Sequence, residues 1–244
     1  MASRALGLLA LAACVAAVAT VPRASARAAA ERATVFAAAS LTDVFPQIEP
    51  NASYNFGGSN ELAFQIEQGA PADVFAAASP TYPQKLYREG LVEQPVIFAT
   101  NRLVLAVPRS NPAHISSVYD LRRKGIRLVV GDPAVPIGAY TQRVLARLGL
   151  AKVRAVSREP DVRSILTKIE LGEADAGFVY VTDVVATKGK AKAIRIPARA
   201  QPRVAYEVAV VKGAPHVDAA RAFVFRLLGS FGRRKLAAAG FGLP

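Results

Sequence analysis

The sequence predicts an α/β fold with mostly parallel sheets, and two observations support this prediction. Short apolar stretches alternate with helical stretches along most of the chain, and no repeat or low-complexity segment interrupts them. Such alternation is typical of βαβ units, in which helices join parallel strands and cover the sheet. The roughly 215 residues that follow an N-terminal export segment are enough for one large domain or two small ones.

The predicted elements follow one another in regular order. Strands are predicted where short runs of apolar residues lie between turn residues, at 34–38, 53–56, 74–77, 103–107, 127–130, 177–181 and 206–211. Helices are predicted at 62–67, 80–89, 118–124, 140–148, 162–171 and 218–228. Ser40, with Asp43 three residues later, forms a variant capping box that predicts one more helix beginning there.

Residues 1–26 are predicted to be a secretory signal peptide. Arg4 supplies a short basic start, residues 5–21 are almost all apolar, and Ala24-Ser25-Ala26 fits the A-x-A cleavage pattern. A membrane anchor is the weaker interpretation, because Pro22 and Arg23 end a run that is short and rich in alanine for a membrane span. We therefore expect a periplasmic protein.

The single cysteine, Cys14, lies inside the predicted signal peptide. Leu11-Ala12-Ala13-Cys14 resembles the lipobox of bacterial lipoproteins, but apolar residues continue well past Cys14, which favours cleavage after Ala26 over lipidation. The exported chain then has no cysteine. It therefore has no disulfide, no thiolate metal site and no cysteine nucleophile.

The chain is strongly basic, with 31 Lys and Arg against 18 Asp and Glu and a net charge of +13. Removing Arg4 and Arg23 leaves 29 basic residues against 18 acidic ones, a net charge of +11. The basic residues are scattered, their longest runs at 122–124 and 233–235 are not interleaved with aromatic residues, and there is no Trp. We expect no nucleic-acid partner, although a positive field would speed the arrival of a small anion.

The junctions between strands and helices are where a ligand is expected, because open α/β sheets bind ligands at the carboxyl ends of their strands. Four junctions are distinctive: residues 37–40, "NFGGSNEL" at 55–62, "VVGDPAVPIGAY" at 129–140 and "EPDVRSIL" at 159–166. Each offers unpaired N–H groups and the positive end of a helix dipole, which together can bind an anion. The alternative is that these Ser, Gly, Asp and Pro residues are ordinary helix caps.

Several segments carry a resemblance to a known family. "VFAAASLTDVF", "FGGSNELAFQIEQGAPADVF", "VVGDPAVPIGAY", "PDVRSIL" and "GFVYVTDV" occur in the order found in periplasmic molybdate-binding proteins of ABC transporters, as far as "LAAAGFGLP" at the end. The resemblance implies a two-lobed periplasmic-binding-protein fold, each lobe a mostly parallel sheet flanked by helices, with a two-strand hinge. It places one lobe at 27–104 and 206–244 and the other at 105–205, with "LVLAV" and "YEVAVV" as crossing strands.

The resemblance also implies a site between the lobes for molybdate, and for tungstate as well. Ser40, Ser59 and Tyr180 match positions that bind the anion through hydroxyl groups, and Ile137 and Val162 match positions that bind it through backbone N–H groups. These residues would hold the metal only as its oxyanion, not as a bare cation, and no other cofactor is implied. The alanines before Ser40 would let the anion approach the backbone. The implied partner is a membrane permease, and the protein is expected to be a monomer.

Two features depart from the family pattern. Asn60 and Glu61 stand where many relatives have small or hydroxylated residues, and Glu61 is expected to point away from the anion, which it would otherwise repel. The segment 42–53 is short and contains Pro46, so the first helix is expected to be truncated or kinked.

An enzyme is the main alternative class. No G-x-S-x-G, H-E-x-x-H or cysteine pair occurs, and both histidines, His114 and His216, lie in polar stretches and are expected at the surface. Asp73, Asp132 and Asp183 lie near turns or helix starts, where capping explains them. We therefore expect no enzymatic activity. The alternatives are a binding protein for another oxyanion such as sulfate, or a periplasmic enzyme that acts on an anionic substrate.

Overall fold

The computed structural model describes residues 32–244 of the chain. The predicted signal peptide, its cleavage site and Cys14 lie outside the described residues, so those predictions stay predictions. Within residues 32–244, no helix has both the length and the apolar character needed to cross a membrane.

Two five-stranded sheets form the framework. The first contains β1 (Thr34–Ala38), β2 (Ser53–Gly57), β3 (Val74–Ala77), β4 (Val96–Asn101) and β10 (Val204–Val210), in the order β2-β1-β3-β10-β4. The second contains β5 (Leu103–Pro108), β6 (Leu128–Gly131), β7 (Ser157–Glu159), β8 (Ala176–Tyr180) and β9 (Ala191–Arg195), in the order β7-β6-β8-β5-β9. We call the parts of the chain built on these sheets the first and second lobes.

The two sheets share one pattern of strand directions. In the first, β1 is parallel to β2 and β3, and only β10 is reversed, since it is antiparallel to both β3 and β4. In the second, β6 is parallel to β7 and β8, and only β5 is reversed between β8 and β9. The predicted α/β class is confirmed, and each sheet is mixed, with four strands running one way and one reversed.

Helices follow the strands in both lobes. The first lobe has α1 (Phe45–Ile48), α2 (Ser59–Glu67), α3 (Thr81–Arg88), α7 (Val217–Leu228) and α8 (Ser230–Ala238). The second has α4 (Pro136–Arg147), α5 (Val162–Glu170) and α6 (Val181–Ala186). Three 3₁₀ turns lie at Ala39–Leu41, Val118–Arg122 and Ala198–Ala200, so the helix predicted at 118–124 is a 3₁₀ helix.

The predicted capping box at Ser40 is wrong. Ala39–Leu41 forms a single 3₁₀ turn with no side-chain cap, and the hydroxyl of Ser40 pairs instead with that of Tyr206. The carboxylate of Asp43 forms an ion pair with Arg163 of the other lobe. The helix that follows is only four residues long and has Pro46 in its first turn. The truncation expected for this segment is therefore confirmed.

The chain crosses between the lobes twice. It leaves the first sheet at Asn101 and enters the second at Leu103, with only Arg102 between them, and it returns through residues 201–203. The side-chain amide of Gln201 ties the two crossings together. Its Oε1 accepts from the backbone N–H of Leu103 at 3.1 Å, and its Nε2 donates to the carbonyl oxygen of Leu103 at 2.8 Å. The crossings therefore lie side by side and are hydrogen-bonded to each other.

Candidate functional site

A single cavity between the lobes is lined by all five residues predicted to bind the ligand. Ser40, Ser59, Ile137, Val162 and Tyr180 each have 4% or less of their surface exposed. The other residues that line it are Ala38, Ala39, Gly57, Gly58, Ala78, Val135, Pro136 and Asp161. Their binding role stays a prediction, but the structure brings all five together.

The lobes are closed around this cavity. A β-carbon added to Gly58 of the first lobe would lie 2.6 Å from the carbonyl oxygen of Pro160 in the second lobe, so the two backbones are in close contact. The hydroxyl of Tyr82 donates to the carbonyl oxygen of Ala134 across the cleft. The ion pair between Arg163 and Asp43 also joins the lobes. Gly58 has an ordinary φ of −64°, so a glycine is needed there for this close approach and not for an unusual backbone conformation.

Three helices direct their N-termini at the cavity. Ser59 and Val162 are the first residues of α2 and α5, and Ile137 is the second residue of α4. The N–H groups of a first helical turn have no acceptor within the helix, and the helix dipole makes this end positive. The side chains of Ile137 and Val162 are aliphatic, so only their backbones can supply polar contacts here. The three helix starts can therefore supply backbone donors to one anion.

The hydroxyl of Ser59 is available as a donor to a ligand. Its oxygen already accepts the backbone N–H of Ala78 at 3.2 Å. Since a backbone N–H can only donate, the proton of Ser59 is left for another acceptor. The hydroxyl of Ser40 lies 2.9 Å from that of Tyr206, where either oxygen could be the donor.

The hydroxyl of Tyr180 is buried and has no hydrogen-bond partner within residues 32–244. Burial raises the pKa of this phenol well above its ordinary value, and the nearby Tyr206, Tyr140 and Asp183 raise it further. The hydroxyl therefore stays protonated and acts as a donor without an acceptor. An unpaired buried donor costs about 1–3 kcal/mol, which a bound anion would relieve.

The charged groups near the cavity are already paired. Asp161, the only acidic residue among its lining residues, caps α5 by accepting the N–H groups of Arg163 at 2.7 Å and Ser164 at 2.9 Å. No Lys or Arg of the described chain lines the cavity. The side chain of Arg163 is directed elsewhere, to Asp43 and to the buried Asp183, whose Oδ1 lies 3.6 Å from its Nε. The cavity therefore presents neutral donors and positive helix ends.

The departures expected to affect the ligand lie outside the cavity. Glu61 is exposed and interacts with Gln65 on the same helix at 3.4 Å, so the expectation that it points away is confirmed. Asn60 does not line the cavity either. Of the three alanines before Ser40, which were expected to let the anion approach the backbone, Ala38 and Ala39 line the cavity. Ala37 does not, because it is fully buried in β1.

The residues considered for catalysis are accounted for by structural roles. His114 is exposed, as expected. His216 is not a free surface residue, because its Nδ1 lies 3.0 Å from the buried carboxylate of Asp73, which also accepts its backbone N–H. Asp132 accepts the N–H of Ala134, and Asp183 accepts that of Tyr180. None of these residues lines the cavity.

Two lobes closed on a cavity of neutral donors define a solute-binding protein for a small anion. The chain belongs to the bacterial extracellular solute-binding proteins, whose family model matches residues 33–242. It is 39% identical over 220 residues to the molybdate-binding protein ModA of Mycobacterium tuberculosis strain H37Rv, covering 86% of this chain and 84% of that protein.

Solved structures show the same fold. The periplasmic molybdate-binding protein of Azotobacter vinelandii matches with a TM-score of 0.78 and 24% identity, over 87% of this chain and all of that one. The sulfate-binding protein SubI of Mycobacterium tuberculosis matches with a TM-score of 0.74 and 20% identity, over 86% of each chain. One fold thus serves different oxyanions, and the fold alone does not choose between them.

Proposed function

We propose that this protein is the solute-binding component of an ABC transporter and that it binds molybdate between its lobes. The observation that carries the proposal is the buried hydroxyl of Tyr180, which has no hydrogen-bond partner within residues 32–244 and lines the same cavity as Ser40 and Ser59 of the first lobe. The backbone N–H groups of Ile137 and Val162 complete the proposed set of donors. The 39% identity to a molybdate-binding protein over most of both chains supports the choice of ligand.

The neutral character of the site suits a fully ionised oxyanion. The negative charge of molybdate is spread over four oxygens, each of which can accept several hydrogen bonds. Hydrogen bonds to charged acceptors are stronger than those between neutral groups, and three helix N-termini add favourable dipoles. No counter-ion is needed. Closure of the lobes removes water from the anion and surrounds it with donors of fixed orientation.

Selectivity follows from the same donors. Hydrogen phosphate would turn its own O–H toward backbone N–H groups or toward hydroxyls already committed as donors to the anion, which leaves donors unpaired at about 1–3 kcal/mol each. Sulfate is fully ionised but smaller than molybdate. It could not reach donors on both lobes at good length, since hydrogen bonds weaken outside a narrow distance range. Tungstate has nearly the size of molybdate and is proposed to bind as well.

Competition calorimetry at neutral pH tests this proposal on the protein that begins at Arg27. Molybdate and tungstate should bind tightly, sulfate weakly and phosphate more weakly than sulfate. In a thermal-unfolding panel, a ligand at 100 times its Kd should stabilise the fold by about 2.7 kcal/mol. Sulfate or phosphate that binds as tightly as molybdate would refute the proposed ligand while leaving the fold and the family intact.

The remaining parts of the proposal concern the cellular setting. The protein is proposed to act in the periplasm as a monomer, without catalytic activity or a resident cofactor, and to deliver its anion to a membrane permease. It is not proposed to bind nucleic acid. The intact mass of exported protein distinguishes cleavage after Ala26 from lipidation at Cys14. A lipidated mass would make the protein membrane-anchored, and hydrolysis of a test ester would contradict the absence of catalysis.

A further inference from the structure

We propose that Tyr206 and Asn101 are positioning residues that fix the direction of the hydrogen bond at Ser40, so that the Ser40 proton points at the ligand. Neither residue lines the cavity. The inference deepens the proposed function, on which it rests, because it explains how a serine hydroxyl is restricted to donating. It also predicts that loss of Tyr206 or Asn101 would weaken the discrimination between protonated and unprotonated anions.

The orientation of the Asn101 amide is determined by its neighbour. Its Oδ1 lies 2.9 Å from the backbone nitrogen of Arg102, and a backbone N–H can only donate, so the oxygen must be the atom on that side. The Nδ2 group then faces two hydroxyls, that of Thr182 at 2.9 Å and that of Tyr206 at 3.4 Å. Both protons of the amide are therefore directed at oxygen acceptors.

The direction of the next hydrogen bond follows from this orientation. Within residues 32–244 the Tyr206 hydroxyl has two partners, the Asn101 amide, which can only donate to it, and the Ser40 oxygen 2.9 Å away, so the Tyr206 proton is satisfied only when it points at Ser40. Ser40 is thus an acceptor toward Tyr206, and its single proton is left for the cavity. The proton of Ser59 is likewise left for the cavity, because the Ser59 oxygen accepts the backbone N–H of Ala78.

Packing holds the Tyr206 ring in place. Tyr206 is fully buried, and its ring centroid lies 5.4 Å from that of Phe241, 5.8 Å from that of Tyr180 and 6.0 Å from that of Phe98. Burial raises the pKa of its phenol well above the ordinary value, so it stays protonated. The hydroxyl therefore cannot swing away from Ser40 or lose the proton that it donates.

Loss of this hydrogen bond should weaken discrimination between protonated and unprotonated anions. In Tyr206→Phe, the Ser40 hydroxyl is free to rotate and to accept an O–H from hydrogen phosphate. Sulfate is similar in size to phosphate but carries no proton, so the ratio of phosphate affinity to sulfate affinity isolates this effect from any change in cavity size. If Tyr206 had only a structural role, its substitution would weaken the binding of phosphate and of sulfate by the same factor and leave the ratio unchanged.

The experiment measures Kd values for phosphate and sulfate by competition against molybdate at neutral pH. Tyr206→Phe should raise the phosphate-to-sulfate affinity ratio by about tenfold or more, the change expected when one unpaired donor is relieved. The matched control is Tyr54→Phe, since the Tyr54 hydroxyl also lies in the first lobe but donates to the carbonyl oxygens of Phe45 and Glu49. The control should leave the ratio unchanged.

A second variant covers the case in which Tyr206→Phe does not fold. Asn101→Leu removes the amide that directs Tyr206, so the pair of hydroxyls can reverse, and the ratio should shift in the same direction. Wild-type binding of molybdate with an unchanged ratio in the folded variants would overturn this inference alone. Failure of the wild-type protein to bind any of the oxyanions would overturn the proposed function and this inference together.

Discussion

The backbone at Gly58 meets the carbonyl oxygen of Pro160 across the closed cleft, with only 2.6 Å available to a β-carbon. Carbon atoms in that position essentially never approach another heavy atom within 3.0 Å. Gly58→Ala should therefore hold the lobes apart and lower molybdate affinity by about 10-fold or more, at 1.4 kcal/mol for each factor of ten. Calorimetry measures this loss.

Gly57 provides the matched control for that variant. A β-carbon at Gly57 would meet only the side chain of Leu62, at 3.7 Å, which is an ordinary contact. Gly57→Ala should leave the lobes free to close. Small-angle scattering should show compaction on adding molybdate to the wild type and to Gly57→Ala, but not to Gly58→Ala. Equal compaction of both variants would contradict the assigned contact.

Removal of the Tyr180 hydroxyl should separate affinity from stability. Tyr180→Phe deletes a donor that the anion would use, so molybdate affinity should fall by about 1.5–3 kcal/mol. The same hydroxyl has no partner within the described chain, so the ligand-free variant should be as stable as the wild type or more stable. Calorimetry and urea unfolding of the same preparation measure both quantities. A loss of stability with unchanged affinity would mean that the hydroxyl serves the fold.

Side-chain and backbone donors should respond differently to substitution. Ser59→Ala and Ser40→Ala each remove a hydroxyl donor, and each should weaken molybdate binding by about 1.5–3 kcal/mol. Ile137→Val keeps the backbone N–H and should leave affinity nearly unchanged, although removal of one buried methylene costs about 0.5–1.5 kcal/mol of stability. The assigned roles would be reversed if calorimetry showed unchanged molybdate affinity in the serine variants and a large loss of affinity in Ile137→Val.

The contribution of Asp183 to the stability of the protein should fall with rising pH. Burial raises the pKa of this carboxyl to about 7 from its ordinary 3.8, an effect that the charge of Arg163 and the N–H of Tyr180 only partly oppose. Between these two values the folded protein holds a proton that the unfolded chain has released. The stabilisation from this group is complete below pH 4 and is lost as pH rises through 7.

Asp183→Asn tests this, because the amide cannot titrate. Urea unfolding between pH 4 and pH 8.5 should show wild-type stability falling relative to the variant up to about pH 7 and then levelling. Asp175→Asn is the control with the opposite sign. Hydrogen bonds from Arg127 lower the pKa of Asp175, so its contribution is present at neutral pH and is lost in acid. A wild-type curve parallel to that of Asp183→Asn would rule out titration of Asp183 in this range.

The sequence allowed the central strands to be predicted better than the edge strands. β1, β3 and β8 are apolar on both faces, so they appear as short hydrophobic runs. The three strands that were missed, β4, β7 and β9, all lie at sheet edges. Their exposed positions interrupt any apolar pattern. Helix α6 was missed because its β-branched start, Val181-Thr182, reads as a continuation of β8.

The five residues predicted to bind the ligand came from the family resemblance, and four of them, Ser40, Ser59, Ile137 and Val162, also lie at strand-to-helix junctions, which a parallel fold brings together. The hydroxyl pair of Ser40 and Tyr206 could not be predicted, since 166 residues separate them and no local pattern predicts which tyrosine reaches which serine. The same holds for Gly58, because its need for a bare α-carbon depends on Pro160 in the other lobe. Local spacing indicated the capping box at Ser40, and these distant partners explain why it does not form.

The double hydrogen bond between Gln201 and Leu103 has a consequence for delivery of the ligand. Because one amide joins both crossings, we expect the two connections to move together when the lobes separate. Opening would then carry the serines of the first lobe away from the tyrosine of the second in one movement, so the hydrogen bonds from the two lobes to the anion would be lost together.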